Sequence, residues 1–463
     1  MISNEQRIMA LRQHLGDISL LTGKDIGEKY SVDFTGENRQ IPLAVVRPKS
    51  TKEVSLVLKA CSALAQRVVI QGGLTGLAGG ATPKQDEIAI SLERLSGIEE
   101  VDVDSMTLTA MAGTPLQTVQ EAAANAGLLL PLDYGARGSC HIGGAIATNA
   151  GGNQVIRFGM TRNLVLGLEA VLADGTIISS MNKMLKNNSG YDLKHLFIGT
   201  EGTLGVVTRA VLRLFPPLPS RCTSLCAVET FSQSVALLRE MQINLGTSMS
   251  AYEVMWAPYF ERVVGHIDNL QSPFDKNFPL YVLIETEGTD QNSDTRRFEN
   301  TLEHALESNI IHDAVIAQSE KDRQDFWGIR DGVGEITKAL MPYASLDVSM
   351  DIANMPKFLE EFDNKLKQLF SNAMNLVFGH LGDNNLHLFV TTHCQEDIDA
   401  IYDLGYDLTG KYGGAISAEH GVGALKRKYL HHSRTHEEID LMSRMKKVLD
   451  PKEILNIGRV IPD

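Results

Sequence analysis

The chain has 463 residues, of which 43% are hydrophobic and 22% charged, with a formal net charge of −14. That length calls for two or three domains with sizeable cores, and the composition excludes a disordered or fibrous protein. The acidic balance disfavours nucleic acid and anionic membranes as general partners, because both repel a negative surface.

Residues 1–40 read as a helical lead-in and a polar connection. A short strand over 41–47 is stopped by Pro48, and Thr51 is an N-cap candidate for a helix carrying Val54, Val57, Leu58 and Cys61 on one face. The strand Val68-Val69-Ile70 runs straight into Gln71-Gly72-Gly73-Leu74-Thr75-Gly76-Leu77-Ala78-Gly79-Gly80. Glycine at this density lets backbone N–H groups converge on an anion such as a diphosphate. The spacing is neither G-x-G-x-x-G nor a P-loop. Alternating strands are expected near 88–92, 101–103 and 106–110, and a helix over 115–126.

A second block, Gly138 to Gly152, holds almost only small side chains, including Ser139, Ile142, Gly143, Gly144, Asn149 and Gly151. Such a run suits either a backbone lying flat against a planar ligand or tight helix packing. Asp174-Gly175 marks a hairpin turn. Gly199-Thr200-Glu201-Gly202 is a third glycine-punctuated turn, and Pro216-Pro217 a boundary.

Residues 217–415 mix helices (230–245, 294–308, and one starting at Ser319 that carries Trp327 and Arg330) with strands near 279–285, 345–350 and 375–391. No βαβ rhythm appears, which predicts an α+β domain over an antiparallel sheet. In Phe378-Gly379-His380-Leu381-Gly382-Asp383-Asn384-Asn385-Leu386-His387 the turn residues reverse the chain, making His380 and His387 cross-strand neighbours. They could form half of a metal site, or be hydrogen-bonded core histidines. Glu419-His420-Gly421 could supply a third ligand and a base. For Arg330 the choice lies between a carboxylate anchor and an ordinary partner of Asp331 or Glu335 on a solvated helix face. A helix over 435–449 precedes Asn456 and Gly458.

The five cysteines form no C-x-x-C pair, which reads as a reducing compartment. No apolar run spans a bilayer and no targeting pattern opens the sequence, so the cytoplasm is the expected location, with peripheral attachment at the inner membrane left open.

The three glycine blocks together, over roughly residues 41–216, resemble the two-part FAD-binding domain of vanillyl-alcohol-oxidase-type flavoproteins. Gly379-His380-x-Gly382-Asp383-x-Asn385-Leu386-His387, Glu419-His420-Gly421 and Asn456-x-Gly458 resemble the FAD-dependent D-2-hydroxyacid dehydrogenases of lactate, glycolate and hydroxyglutarate. The resemblance implies FAD at Gln71 to Leu77, Pro131, Asp133, the second block through Gly151 and Gly152, Glu201, Gly202 and Asn456. It implies non-covalent FAD, since the first loop has no histidine to tether the flavin. It also implies zinc or another divalent metal on His380, His387 and Glu419, His420 as catalytic base, and Arg330 on the substrate carboxylate. The expected partners are a small 2-hydroxy acid and an electron acceptor, a quinone or an electron-transfer flavoprotein; a homodimer is compatible with the sequence. The resemblance divides the chain at 1–40, 41–216, 217–415 and 416–463, the last segment returning to the FAD. Three departures, Phe389 where hydroxyglutarate-specific relatives carry Asn, and Gly334 and Ser345 where they carry Thr and Lys, lead us to expect a substrate other than D-2-hydroxyglutarate.

Overall fold

The computed structural model of the chain describes residues 4–462. It resolves into two compact units. The first takes the chain up to Gly152, Phe158–Pro217, and everything from Glu419 onward; the second takes Asn153–Arg157 and Leu218–Ala418.

The first unit holds two sheets. One combines β1 (Ser19–Leu21), β2 (Ala44–Arg47), β3 (Val68–Gln71) and β4 (Ile88–Ser91) in the order β1-β2-β4-β3. The last three strands are parallel, with β1 antiparallel at the edge. Parallel strands covered on both faces need near-continuous apolar runs, and Ala44, Val45, Val46, Val68, Val69, Ile88, Ala89 and Ile90 are all buried. The crossover helix Thr51–Ala63 is capped by Ser50, whose hydroxyl accepts from the Glu53 amide. Thr51, the residue expected at the cap, instead donates its hydroxyl to Glu169 Oε1 at 2.6 Å.

The other sheet is antiparallel. It contains β5 (Ile98–Asp102), β6 (Thr107–Met111), β7 (Val165–Val171), β8 (Ile177–Ser180) and β9 (Val206–Arg213), in the order β5-β6-β9-β7-β8. The β7–β8 turn runs through Asp174 and Gly175, the glycine at φ +82°. The C-terminal chain packs into this unit. Leu455 makes a parallel bridge to Val68, and the buried Lys446 ammonium donates to the carbonyls of Thr203 (2.8 Å) and Leu455 (2.7 Å).

The second unit is one seven-stranded antiparallel sheet. Its strands are β10 (Ser220–Val228), β11 (Met249–Trp256), β12 (Leu280–Gly288), β13 (Asp313–Ile316), β14 (Ala344–Ser349), β15 (Met374–Gly379) and β16 (Asn385–Thr391). Their order is β13-β10-β12-β11-β15-β16-β14. Helices Ala257–His266, Glu320–Asp331 and Val333–Leu340 enclose a core with Tyr259, Phe260, Phe326 and Ile336 against Met255, Tyr281 and Phe378 of the sheet. The class is therefore α+β, a two-sheet unit plus an antiparallel-sheet unit. Among the described residues, no helix is long and apolar enough to cross a membrane.

Candidate active site

In the second unit, β15 and β16 form a hairpin whose turn is a short 3₁₀ segment, Leu381–Asp383, closed by Asn384 in the left-handed region at φ +71°. Phe378 and His387 face each other across the two strands, and the rings of His380 and His387 lie 5.4 Å apart. Both histidines are buried. His387 is backed by Asp347 on β14: Nδ1 lies 3.8 Å from Oδ1, while Asn385 and Ser417 donate to the same carboxylate at 2.8 and 3.2 Å.

His380 has a tighter carboxylate partner, one that no local pattern marked. Glu253 on β11 is 1% exposed, and its Oε1 lies 2.9 Å from His380 Nδ1. Its Oε2 accepts from Arg330 Nε at 2.8 Å. Burial alone would push the Glu253 carboxyl up, but His380 and Arg330 beside it outweigh that and hold it below the ordinary value.

Arg330 arrives on the helix Glu320–Asp331. Ser319 starts that helix by accepting from the Asp322 amide, and Glu320 and Asp322 in the first turn complement the helix dipole. Trp327, one turn before Arg330, donates from Nε1 to Glu285 at 2.9 Å. Arg330 itself is buried, not on a solvated face. Its guanidinium stacks on the Phe378 ring at 5.2 Å, Nη1 donates to Asp331 at 3.0 Å, and Nη2 lies 2.8 Å from His380 Nε2. Burial opposes the charge, yet Glu253 and Asp331 raise the guanidinium above its ordinary pKa. A permanent cation and an imidazole thus converge on one spot at the end of the hairpin.

In the first unit, the glycine blocks are packed against one another. A Cβ on Gly73 would meet the Ser139 carbonyl oxygen at 2.1 Å, so only glycine permits the first loop to touch the second block. Leu74 sits at φ +59°. The second block contains the helix Ile142–Thr148, which ends at Asn149 in the left-handed region. Asp133, expected at the cofactor, pairs with Arg137 at 2.9 Å, and its carbonyl abuts Gly152; Pro131 is buried beside it in sequence.

Asn456 acts as a cross-link. Its Oδ1 accepts from the Ile70 amide at 2.9 Å and its Nδ2 donates to the Glu201 carbonyl at 2.5 Å. The Glu201 carboxylate accepts from the amides of Val422 (2.7 Å) and Gly423 (3.0 Å), and burial raises its pKa. This fastens the loop that begins with Glu419 and His420. In that loop His420 Nε2 lies 3.7 Å from Glu419 Oε1, and the Glu419 carboxylate lies where a Cβ on Gly151 would come within 3.0 Å.

Two cofactor expectations can be tested on these residues. Around the first loop, Gln71 Oε1, Asp33 Oδ2 and His141 Nδ1 are buried without a hydrogen-bond partner, and buried polar atoms of that kind call for a polar ligand. The site fits a dinucleotide. A metal-binding histidine normally gives its second ring nitrogen to a carboxylate, and His380 has Glu253 in that place. Asp347 with His387, and Glu419 with His420, are each adjacent donor pairs of the type a divalent cation takes. The donor set fits.

Residues 42–180 match the family model described as an FAD binding domain. Residues 218–460 match that of FAD linked oxidases, C-terminal domain. The chain is 37% identical over 464 residues, all of it and 82% of the relative, to a probable mitochondrial D-2-hydroxyglutarate dehydrogenase of Oryza sativa subsp. japonica. It is 38% identical over 463 residues, 98% of this chain and 97% of the relative, to D-2-hydroxyglutarate dehydrogenase of Xanthomonas citri pv. viticola. Among solved structures it resembles p-cresol methylhydroxylase with substrate bound, at a TM-score of 0.74 and 15% identity, over 99% of this chain and 97% of that one. At that identity the likeness is one of fold.

Proposed function

Since the chain belongs to the FAD-dependent D-2-hydroxyacid dehydrogenase family, we propose that it oxidises a D-2-hydroxy acid at C2 with help from a divalent metal. His380, His387 and Glu419 are the proposed ligands, His420 the base and Arg330 the carboxylate anchor. Bound FAD supplies the redox chemistry, as the hydride acceptor. A divalent cation held by these ligands would supply Lewis-acid chemistry, lowering the pKa of a bound hydroxyl.

The protein residues do the rest. With Nε on Glu253 and Nη1 on Asp331, Arg330 presents Nη2 to His380, and a guanidinium so placed is the group that matches a substrate carboxylate. The hydroxyl proton passes to an imidazole nitrogen of His420, the side chain most often used as a general base. Glu201 keeps the loop after His420 in place through two amides. The electrons then leave to a quinone or an electron-transfer flavoprotein.

The observation that carries this reading is the buried Arg330 guanidinium 2.8 Å from the His380 imidazole. Anaerobic bleaching of the flavin by a panel of D- and L-2-hydroxy acids, with and without a strong chelator, tests it. Bleaching by D-acids only, abolished by chelation and restored by zinc, is expected; equal bleaching after the metal is stripped would remove the metal from the mechanism.

D-2-hydroxyglutarate, the substrate in the names of the relatives, heads that panel. A less polar tail is the second reading. Phe389 lies two residues beyond His387 on β16, 5.9 Å from Phe378 and 5.5 Å from Tyr343, ring to ring. Lys338, the cation nearest in sequence that could offset the departures at Gly334 and Ser345, is exposed on the helix Val333–Leu340.

A further inference from the structure

We infer that Glu253 is a positioning residue that serves the metal ligand and the substrate anchor with one carboxylate. Oε1 holds His380 at Nδ1 and Oε2 holds Arg330 at Nε, so one carboxylate sets the imidazole and the guanidinium against each other, with Arg330 Nη2 2.8 Å from His380 Nε2 and Nη1 on Asp331 at 3.0 Å. The inference rests on the reading above, that His380 holds a metal and Arg330 a substrate carboxylate.

Three observations carry it. Both contacts are short, 2.9 and 2.8 Å, and Glu253 is 1% exposed, so water does not compete for either oxygen. The placement is set by the sheet. β11 pairs directly with β15, with Val254 opposite Gly379, so Glu253 emerges beside the residue that follows the strand. Finally, the two partners come from different elements, a hairpin turn and a helix end, and Arg330 Nη2 also contacts the His380 ring. A carboxylate behind a ligating histidine fixes its tautomer and ring orientation, and its loss typically costs about 10–100-fold in metal affinity. A buried ion pair with a purely structural role predicts no such loss, because replacing both charges together is often neutral for stability.

The test uses the full FAD-loaded chain and Zn²⁺ competed against a chelator of known affinity. Wild type, Arg330→Met and the double variant Glu253→Gln/Arg330→Met are compared, with FAD content and melting temperature as folding controls. The double variant removes both charges, so no lone guanidinium is buried. The expected result is that Arg330→Met binds zinc like wild type, and the double variant binds it about 10–100-fold more weakly at unchanged FAD content. The single variant Glu253→Gln, assayed at saturating zinc, is expected to raise KM for the D-2-hydroxy acid about tenfold or more by misaligning Arg330. A double variant that binds zinc as tightly as Arg330→Met overturns the inference and leaves the metal reading intact. A wild type that binds no zinc overturns both.

Discussion

His420 sits in a loop that is held from behind. The Glu201 carboxylate takes the amides of Val422 and Gly423, and a Cβ on Gly421 would meet the same carboxylate at 2.8 Å. A base carried on so fixed a loop loses little orientation when its substrate arrives. His420→Asn retains a polar side chain of similar reach and disturbs none of the Glu201 contacts. It is expected to keep FAD and metal while kcat falls about 10²–10⁴-fold, the usual contribution of a general base. Stopped-flow reduction of the flavin measures the step directly, and a variant reduced at the wild-type rate would place the base elsewhere.

Among the elements, the crossing of the first two glycine blocks governs cofactor binding. The loop after β3 and the segment before the helix Ile142–Thr148 approach so closely that a Cβ at Gly73 would lie 2.1 Å from Ser139 O and 2.8 Å from Cys140 Cα. Both obstacles are backbone, so the blocks themselves must part. Gly73→Ala is therefore expected to destabilise the chain by roughly 1–3 kcal/mol, the usual cost of overpacking, and to lower the FAD retained after purification. Gly144→Ala is the control, because its Cβ meets nothing within 4 Å in the protein; its melting temperature without FAD should match or exceed wild type. Equal losses in the two apo-proteins would show that the close crossing is not what matters. The β15–β16 hairpin is the corresponding device in the second unit, where strand register brings His387 opposite Phe378 and the turn carries His380.

For the molecule as a whole, FAD should behave as a separable part of the fold. The first loop carries no histidine, so acid precipitation is expected to release the yellow colour into the supernatant. Colour retained in the pellet would mean a covalent link. The buried, unpartnered atoms of Gln71, Asp33 and His141 also imply that the apo-protein is less stable. A ligand present at a hundred times its dissociation constant stabilises the native state by about 2.7 kcal/mol, which differential scanning of apo- and FAD-loaded protein will register as a higher Tm with FAD.

The parts read correctly from sequence alone are those whose cause is local. Glycine density announces loops that must approach closely, the Gly-Asp-Asn-Asn run announces a chain reversal, and apolar alternation announces the strands of the antiparallel sheets. Each depends on a residue's own backbone preferences or on its neighbours a few positions away. The α+β character of residues 217–415 and the chain reversal between the two histidines followed from such signals; the register did not, since His387 stands opposite Phe378 and not His380. Tertiary structure decided the rest. Thr51 yielded the helix cap to Ser50 because its hydroxyl finds Glu169, 118 residues away. Arg330, which could pass for a surface residue, became a buried cation because Glu253 lies 77 residues upstream on an adjacent element. Glu253 carried no local signal, being one acid within an apolar strand, and it meets His380 across 127 residues. That meeting follows from β11 lying beside β15 in the sheet. Strand order is set by how whole layers of side chains pack, and a charge can be buried only where that packing delivers its partner.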